Sequence, residues 1–409
     1  MATPPHLGPS TPGGRAPSRL LVICPAVPHP SAGASTVLFF WYIAGALAAG
    51  YRVHVLLMPA TQPSDAQLSS FTQALPNPEL TWQVETGLLK TSQRWLALDQ
   101  GDVGTKRIAT AVAEHHPDCM LCLDLASAWA AAPVAVPRRV AWLGDLTFQT
   151  AACHARYACS EGKRPWISLP ITLLRARAWR QVYRRILPAY DAVIVASASS
   201  VPALEELGVH SSYMPYPWPC DPPAPRTPPV LPTFVCMGTF DALGGRSTFH
   251  VLFGKLYDSF VQRFGRAGFC IRICGRGEMP VWAMRALSTR PELEFAGFVP
   301  DLPTFLASCH ALLAPIEVAV GNRSRILTAM AQKLPVVAHE NTRLGNPDLI
   351  HGQTCLLAGS AVGLASEAAR IASDAMLAHT LAEQAYRTYQ QQFSPTRAAA
   401  ALIRVVSGT

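Results

Sequence analysis

The sequence predicts an α/β protein built from two doubly wound domains, and three observations carry the prediction. Short apolar runs alternate with longer helical patterns along most of the chain, as right-handed βαβ units around a parallel sheet require. The alternation runs through twice, and PYPWPCDPPAPRTPPVLP, residues 215–232 with nine prolines, separates the two halves. Proline fixes φ and lacks the N–H that a sheet interior needs, so this stretch reads as a stiff, extended linker. The length, 409 residues, matches two or three domains at roughly one to two hundred residues each.

Residues 1–18 lack the apolar core of a signal peptide and are rich in Pro and Gly, so they read as a disordered leader. The first domain, residues 19–214, opens with the apolar run Leu20–Cys24, a turn over Pro25–Ser35 and a helical pattern over Ser35–Ala49. From Ala32 to Tyr51 there are 20 residues without a charge, about the length of a membrane span. The strand-like runs LLVIC and RVHVLLM on either side favour a helix laid against a sheet instead. Further strands are expected at Val53–Met58, Met120–Asp124, Arg139–Leu143 and Ala192–Ala196, with helices over Gly104–His115, Ile171–Leu187 and Ser200–Leu207. In the second domain, residues 233–392, strands are expected at Thr233–Met237, Cys270–Cys274, Leu293–Ala296, Ala311–Ala314, Pro335–Ala338 and Thr354–Leu357. Ala-rich helical patterns close the chain, the last of them within residues 393–409.

Composition narrows the function classes. Half the residues are hydrophobic and 15% are charged, which supports a sizeable core and excludes wholesale disorder. Lys+Arg minus Asp+Glu is 34 − 26 = +8, a balance that suits an anionic partner. The eleven cysteines form neither a disulfide framework nor a zinc ribbon. The one CxxC, Cys119 and Cys122, lies in a strand pattern whose period of two points them to opposite faces. Reduced core thiols in a cytoplasmic protein are the expectation. His339-Glu340 has no second His at helical spacing, and Ser197–Ser200 lacks the Gly-x-Ser-x-Gly of a hydrolase elbow. Trp41, Trp95, Trp142 and Trp282 read as core or cleft wall. Lys163–Arg185 carries seven Lys/Arg and no acid, with Trp166, Trp179 and Tyr183 interleaved. That composition reads as a solvated face or as peripheral contact with an anionic membrane at its inner face, and no nucleic-acid motif accompanies it.

Ligands of doubly wound sheets bind outside the carboxyl ends of the strands, so the loops there carry the chemistry. In APIEVAVGNRSRILTAMAQKLPVVA, residues 314–338, a strand ends, a loop containing Gly321 follows, and a helix begins near Arg323. Free N–H groups and the positive end of the helix dipole suit a phosphate there, and Arg323 and Arg325 add charge beside it. In the first domain, Asp145 follows the strand VAWL. It reads both as the N-cap of the next helix and as a carboxylate at the cleft.

The frame Arg325-x-Leu327-Thr328-Ala329-Met330-Ala331 followed by Leu334-Pro335-Val336-Val337 resembles the donor-binding signature of the GT-B fold glycosyltransferases of the large retaining family 4, also called group 1. Met237–Asp241, Ile271–Gly277 (IRICGRG), Leu293–Leu302 (LEFAGFVPDL), Thr354–Gly359 and Phe393-Ser394 resemble later or earlier pieces of its donor domain in the correct order. Pro28–Ser35 (PHPSAGAS) and Gly50–Val53 resemble its first-domain loop and turn. The resemblance implies two Rossmann-like domains facing a cleft, with the C-terminal helix crossing back to the first. It implies sugar transfer of the hexosyltransferase type from a nucleotide-diphosphate sugar to a glycan, lipid-linked or protein acceptor, with retention, and with neither metal nor other cofactor. As donor-binding residues it implies Gly33, Gly238, Thr239, Gly275, Gly277, Phe298, Val299, Gly321, Asn322, Arg323, Arg325 and Thr328, with Arg246 and Arg276 as candidates for the basic pair on the diphosphate. Asp145 is the catalytic candidate.

The chain also departs from that family. The two usual glutamates, eight positions apart, fall on Val320 and Thr328 here. A Thr hydroxyl replaces part of a carboxylate's hydrogen bonding to a ribose with less reach and no charge, and Glu317 is placed to substitute from the loop. Loss of the pair keeps a second expectation open, a non-catalytic relative that binds or scaffolds another transferase.

Overall fold

The computed structural model describes residues 18–408 apart from 95, 96 and 322. The leader up to residue 17, Trp95 and Asn322 therefore lie outside the described residues. The chain divides into two compact units. One runs to Ala151, takes back Pro170–Pro219 and ends with the chain from Phe393 onward; the other consists of Ala152–Leu169 and Cys220–Gln392. This differs from the expected division at two places. Residues 152–169 belong with the second unit, and the proline-rich stretch is split between Pro219 and Cys220.

The first unit holds a seven-stranded sheet whose ladders are all parallel, in the spatial order Leu80–Val84, Arg52–Leu57, Arg19–Cys24, Cys119–Leu123, Arg138–Leu143, Ala192–Val195, Ser212–Tyr213. The central strands are continuous apolar runs because helices cover both faces. The edge strands Leu80–Val84 and Ser212–Tyr213 are half exposed and more polar, which is why the sequence did not announce them. The charge-free helix Ser35–Ala48 buries nine side chains. Phe39 and Tyr42 pack on Trp142 with ring centroids 6.1 and 5.5 Å apart. The last helix, Pro395–Ser407, lies against it so closely that a β-carbon on Gly45 would stand 2.7 Å from Ala399 Cβ. Arg138 Nη2 donates to the Val405 carbonyl at 2.7 Å. Among the described residues no helix is long and apolar enough to cross a membrane. All eleven cysteines are free, and burial pushes the Cys122 thiol up to about 12.

The second unit has six parallel strands in the order Leu293–Gly297, Cys270–Cys274, Thr233–Met237, Ala311–Ala314, Val336–His339, Leu356–Ala358. In chain order this is 3-2-1-4-5-6, the doubly wound arrangement whose direction reverses between its first and fourth strands. Phe234, Phe249, Phe260 and Phe269 fill the core beside them. The proline-rich stretch is no free linker beyond Pro219: Thr227 N–H donates to Ala307 O (3.0 Å), and Arg226 Nη2 donates to Cys309 O (2.9 Å) and His310 O (3.2 Å).

Candidate functional site

In the second unit the chain leaves the two strands flanking the reversal, Thr233–Met237 and Ala311–Ala314, and forms the loops that the sequence marked as phosphate-binding. Gly275 is needed at the neighbouring strand end because its backbone presses on that of Gly238; a β-carbon would overlap Gly238 O. Gly238 N–H donates to Cys274 O (3.0 Å) and Gly275 N–H to Gly297 O (2.9 Å), so three strand ends form one tight shelf. Arg276 lies on that shelf with its guanidinium 4.9 Å from the Phe298 ring centroid, and Phe298 is 57% exposed. Val299, beside it, is half-buried.

Two helices start here, Leu243–Val251 and Ser324–Ala331. Neither has a side-chain cap nor an acid in its first turn, so their first N–H groups and dipoles favour an anion. Thr239 Oγ1 accepts from Ala242 N–H (3.4 Å) and shapes the turn before the first of them. Arg325, from the second, carries its guanidinium into the Gly238 turn, where Nη1 donates to Met237 O (2.7 Å) and to Thr248 Oγ1 (3.4 Å). Burial pushes its pKa down to about 10, and the charge of Arg323 pushes the same way; it remains a cation at neutral pH.

The other predicted cations also have partners within the unit. Arg323 is 2% exposed and donates from Nη2 to Val318 O (2.6 Å), fastening the loop that contains Gly321. Arg246 faces Glu161, whose side chain is 1% exposed, with Nε 3.5 Å from Oε1. Lys163 (2.8 Å) and His250 (3.3 Å) share the same carboxylate, and His250 stacks between Tyr157 and Trp282 with centroids 5.2 and 4.6 Å away. This clasp lay beyond sequence reasoning because Glu161 and Arg246 are 85 positions apart. Burial pushes the Glu161 carboxyl up, but Lys163, His250 and Arg246 outweigh it and hold it below its ordinary value.

Glu317 is exposed and pinned through its backbone: its N–H donates to Ser247 Oγ (2.9 Å) and its carbonyl accepts from Asn341 Nδ2 (2.6 Å). Thr328 donates to Ser324 O (3.1 Å) and contacts the Cys220 thiol. Burial drives that thiol up to about 12 although Thr328 and Tyr389 hydrogen-bond to it.

In the first unit, Gly33 (φ 85°) lies in a turn organised by His29, whose Nδ1 accepts from Ala32 N–H at 2.8 Å. Asp145 is exposed, two residues past the strand Arg138–Leu143. Sequence reasoning missed its companion Asp124, at the end of the strand Cys119–Leu123. Asp124 has φ 74° and ψ 162°, a conformation that essentially only glycine adopts without strain. Its Oδ1 accepts from Leu125 N–H at 2.8 Å. Burial raises the Asp124 pKa, the Leu125 N–H opposes that, and the charge of Asp145 adds to it.

Among the described residues no cluster of three His, Cys, Asp or Glu side chains is placed to hold a metal ion.

Comparison with known proteins agrees with this fold. Residues 232–374 match the family model for glycosyl transferases group 1. A comparison with curated protein sequences finds no match. Solved structures share the fold at low identity. HepE of Anabaena in complex with UDP superposes with a TM-score of 0.63 at 15% identity, covering 96% of this chain and 100% of that one. Sucrose-phosphate synthase of Thermosynechococcus elongatus gives 0.63 at 15%, covering 96% and 98%. The lipopolysaccharide outer core galactosyltransferase WaaB gives 0.61 at 13%, covering 96% and 100%. With a glycosyl transferases group 1 domain over residues 232–374, carried on a GT-B fold, this chain is a glycosyltransferase.

Proposed function

We propose that the protein transfers a sugar from a nucleotide-diphosphate sugar with retention of configuration, using no metal ion. The observation that carries this reading is the Arg325 guanidinium at the start of two uncapped helices, beside the Gly238–Gly275 shelf. A leaving diphosphate gathers negative charge as the glycosidic bond breaks, and preorganised donors aimed at that charge stabilise the transition state. Phe298 and Arg276 offer a flat, polar-edged surface for the base, and Glu317 offers a carboxylate to sugar or ribose hydroxyls.

The acceptor reading rests on Trp166–Ile186. Trp166 (59% exposed) and Ile167 (83%) in the second unit and Ile171 (53%) in the first are exposed, in a stretch of sequence that carries cations and no acid. Apolar residues that insert, flanked by cations, suit an anionic membrane surface, and with it a lipid-linked acceptor. Not all seven cations are available: Lys163 pairs with Glu161 (2.8 Å), Arg180 pairs with Glu206 (3.0 Å), and Arg185 covers the Trp129 ring.

The test is calorimetric titration with UDP first, because HepE binds it, then GDP, ADP and dTDP, all in EDTA, followed by assay of donor hydrolysis. Micromolar binding and slow hydrolysis are expected. A second reading, a non-catalytic relative that serves another transferase, is favoured by Thr328, which stands in a glutamate slot and turns to Cys220. Failure of every nucleoside diphosphate to bind selects it.

A further inference from the structure

The first unit holds a groove of about 600 Å³ that none of the donor-binding residues lines. Its length is set by Ser35–Ala48 and Pro395–Ser407, two helices in contact at Gly45 and Ala399. The second helix has 13 residues, or about 20 Å at 1.5 Å per residue. Beside the contact, Ala44, Ala48 and Ala400 carry too little side chain to fill the flank, and Trp41, Leu75 and Ile403 wall it. Trp41 is 6% exposed, and its indole N–H has no acceptor among the described residues. Buried polar groups left unsatisfied in this way call for an explanation.

The polar groups gather toward the helix ends. Tyr51 and Ser407 line the groove there and hydrogen-bond to each other. Arg404, exposed, is the one formal charge on the lining, and no ion pair holds it among the described residues. The groove is thus long, narrow and apolar, with a single cation at one end.

We propose that it binds a free long-chain fatty carboxylate, with the chain along the alanine-lined wall and the carboxylate on Arg404, while Ser407 donates to the Arg404 carbonyl (2.8 Å) and holds that last turn. One guanidinium matches one carboxylate in a bidentate pair. The size lies within the roughly 300–1,000 Å³ of small-molecule sites. The groove is half open and concave, a shape that takes a single chain along its length, where a bilayer would need a convex surface. This site is independent of the donor reading.

The experiment titrates the full chain with decanoate, dodecanoate, tetradecanoate and hexadecanoate below their micellar concentrations, by calorimetry and tryptophan fluorescence. Affinity should rise about fourfold per methylene, the equivalent of ~0.8 kcal/mol, and level off once the chain outgrows the groove. Ala48→Phe, at an exposed position, should fill the groove and weaken dodecanoate at least tenfold. Arg404→Gln should weaken dodecanoate about tenfold while leaving dodecanol unchanged, and it decides the matter should Ala48→Phe fail to fold. Absence of saturable binding, affinity independent of chain length, or undiminished binding to folded Ala48→Phe each overturns the proposal. So does concentration-dependent dimerisation that Ala48→Phe abolishes in a chain that ignores carboxylates, since the groove would then hold a second copy.

Discussion

A β-carbon on Gly238 would stand 2.5 Å from Nη1 of Arg325: the guanidinium takes the space that a side chain at the strand end would occupy. The charge therefore reaches the turn after Thr233–Met237 from a helix that begins 87 positions later, at Ser324. Thr239 and Gly244, on the turn and the first helical residues, supply none of their own.

Arg325→Ala should weaken nucleoside-diphosphate binding by about 1.5–3 kcal/mol, the worth of a charge-assisted hydrogen bond, as read by calorimetry on a chain with an unchanged circular dichroism spectrum. Gly238→Ala should displace the same guanidinium and cost a similar amount. Because the two act through one contact, the double variant should be little worse than either single one. Fully additive losses would show that Arg325 does not act in the Gly238 turn.

Thr328→Glu restores the residue type usual in the resembling family but places a carboxylate against the buried Cys220 thiol. Without a partner there it should lower stability by about 1–3 kcal/mol, measured by urea unfolding, and leave nucleotide affinity no better. Improved UDP binding at unchanged stability would show that Thr328 faces the ribose after all.

Glu161→Gln removes the carboxylate that Arg246 and Lys163 share as counter-charge and that also hydrogen-bonds to His250. Breaking a buried pair on one side strands the other charge, so a loss of about 3 kcal/mol is expected. Because the Glu161 carboxyl lies below its ordinary value in the fold, its contribution is present at neutral pH and disappears as pH falls through the folded-state pKa. The variant should therefore show a flatter acid limb in a plot of stability against pH.

His54 gives a second pH signature. Burial, with the stacked His115 ring 3.6 Å away, pushes its pKa from 6.5 down to about 4. Between those values the unfolded chain takes up a proton that the folded one refuses, so stability falls as pH drops from 6.5 toward 4 and levels off below. His54→Phe should remove that part of the slope, and an unchanged slope would place the titration elsewhere.

Asp124 separates strain from use. Asp124→Gly relieves a backbone conformation that costs roughly 1–3 kcal/mol and loses one hydrogen bond to Leu125. It should be at least as stable as the parent and more stable than Asp124→Ala. If donor hydrolysis drops in this stable variant, the carboxyl beside Asp145 serves the reaction; undiminished hydrolysis leaves it a helix cap.

Much of this was legible in the sequence because burial on both faces makes central parallel strands into plain apolar runs, as in Leu20–Cys24 and Ala311–Ala314. The tetrad Leu334–Val337 and the Arg325 frame pointed to the loop that the fold places at the strand-order reversal. Edge strands such as Leu80–Val84 face water and lose that signal. The resemblance offered Arg246 as a candidate for the diphosphate pair from local sequence alone. Its partner Glu161 belongs to a segment that only the tertiary fold brings back. The strain at Asp124 left no mark, since a backbone dihedral imposed by packing has no residue code when the residue is not glycine.

The chain passes between its units four times, at Ala151, Leu169, Pro219 and Gln392. Neither unit is therefore a continuous gene segment. As the protein emerges from a ribosome, the first unit stays incomplete until Pro395–Ser407 is made, after the whole of the second. Its groove face, with Gly45 waiting for Ala399, stays exposed while the second unit is being made. Residues 152–169 leave early and must wait for their Arg246 and His250 partners. A fragment cut at the proline-rich stretch would lose both closures at once, and a chaperone has more to hold here than in a protein whose domains finish one after the other.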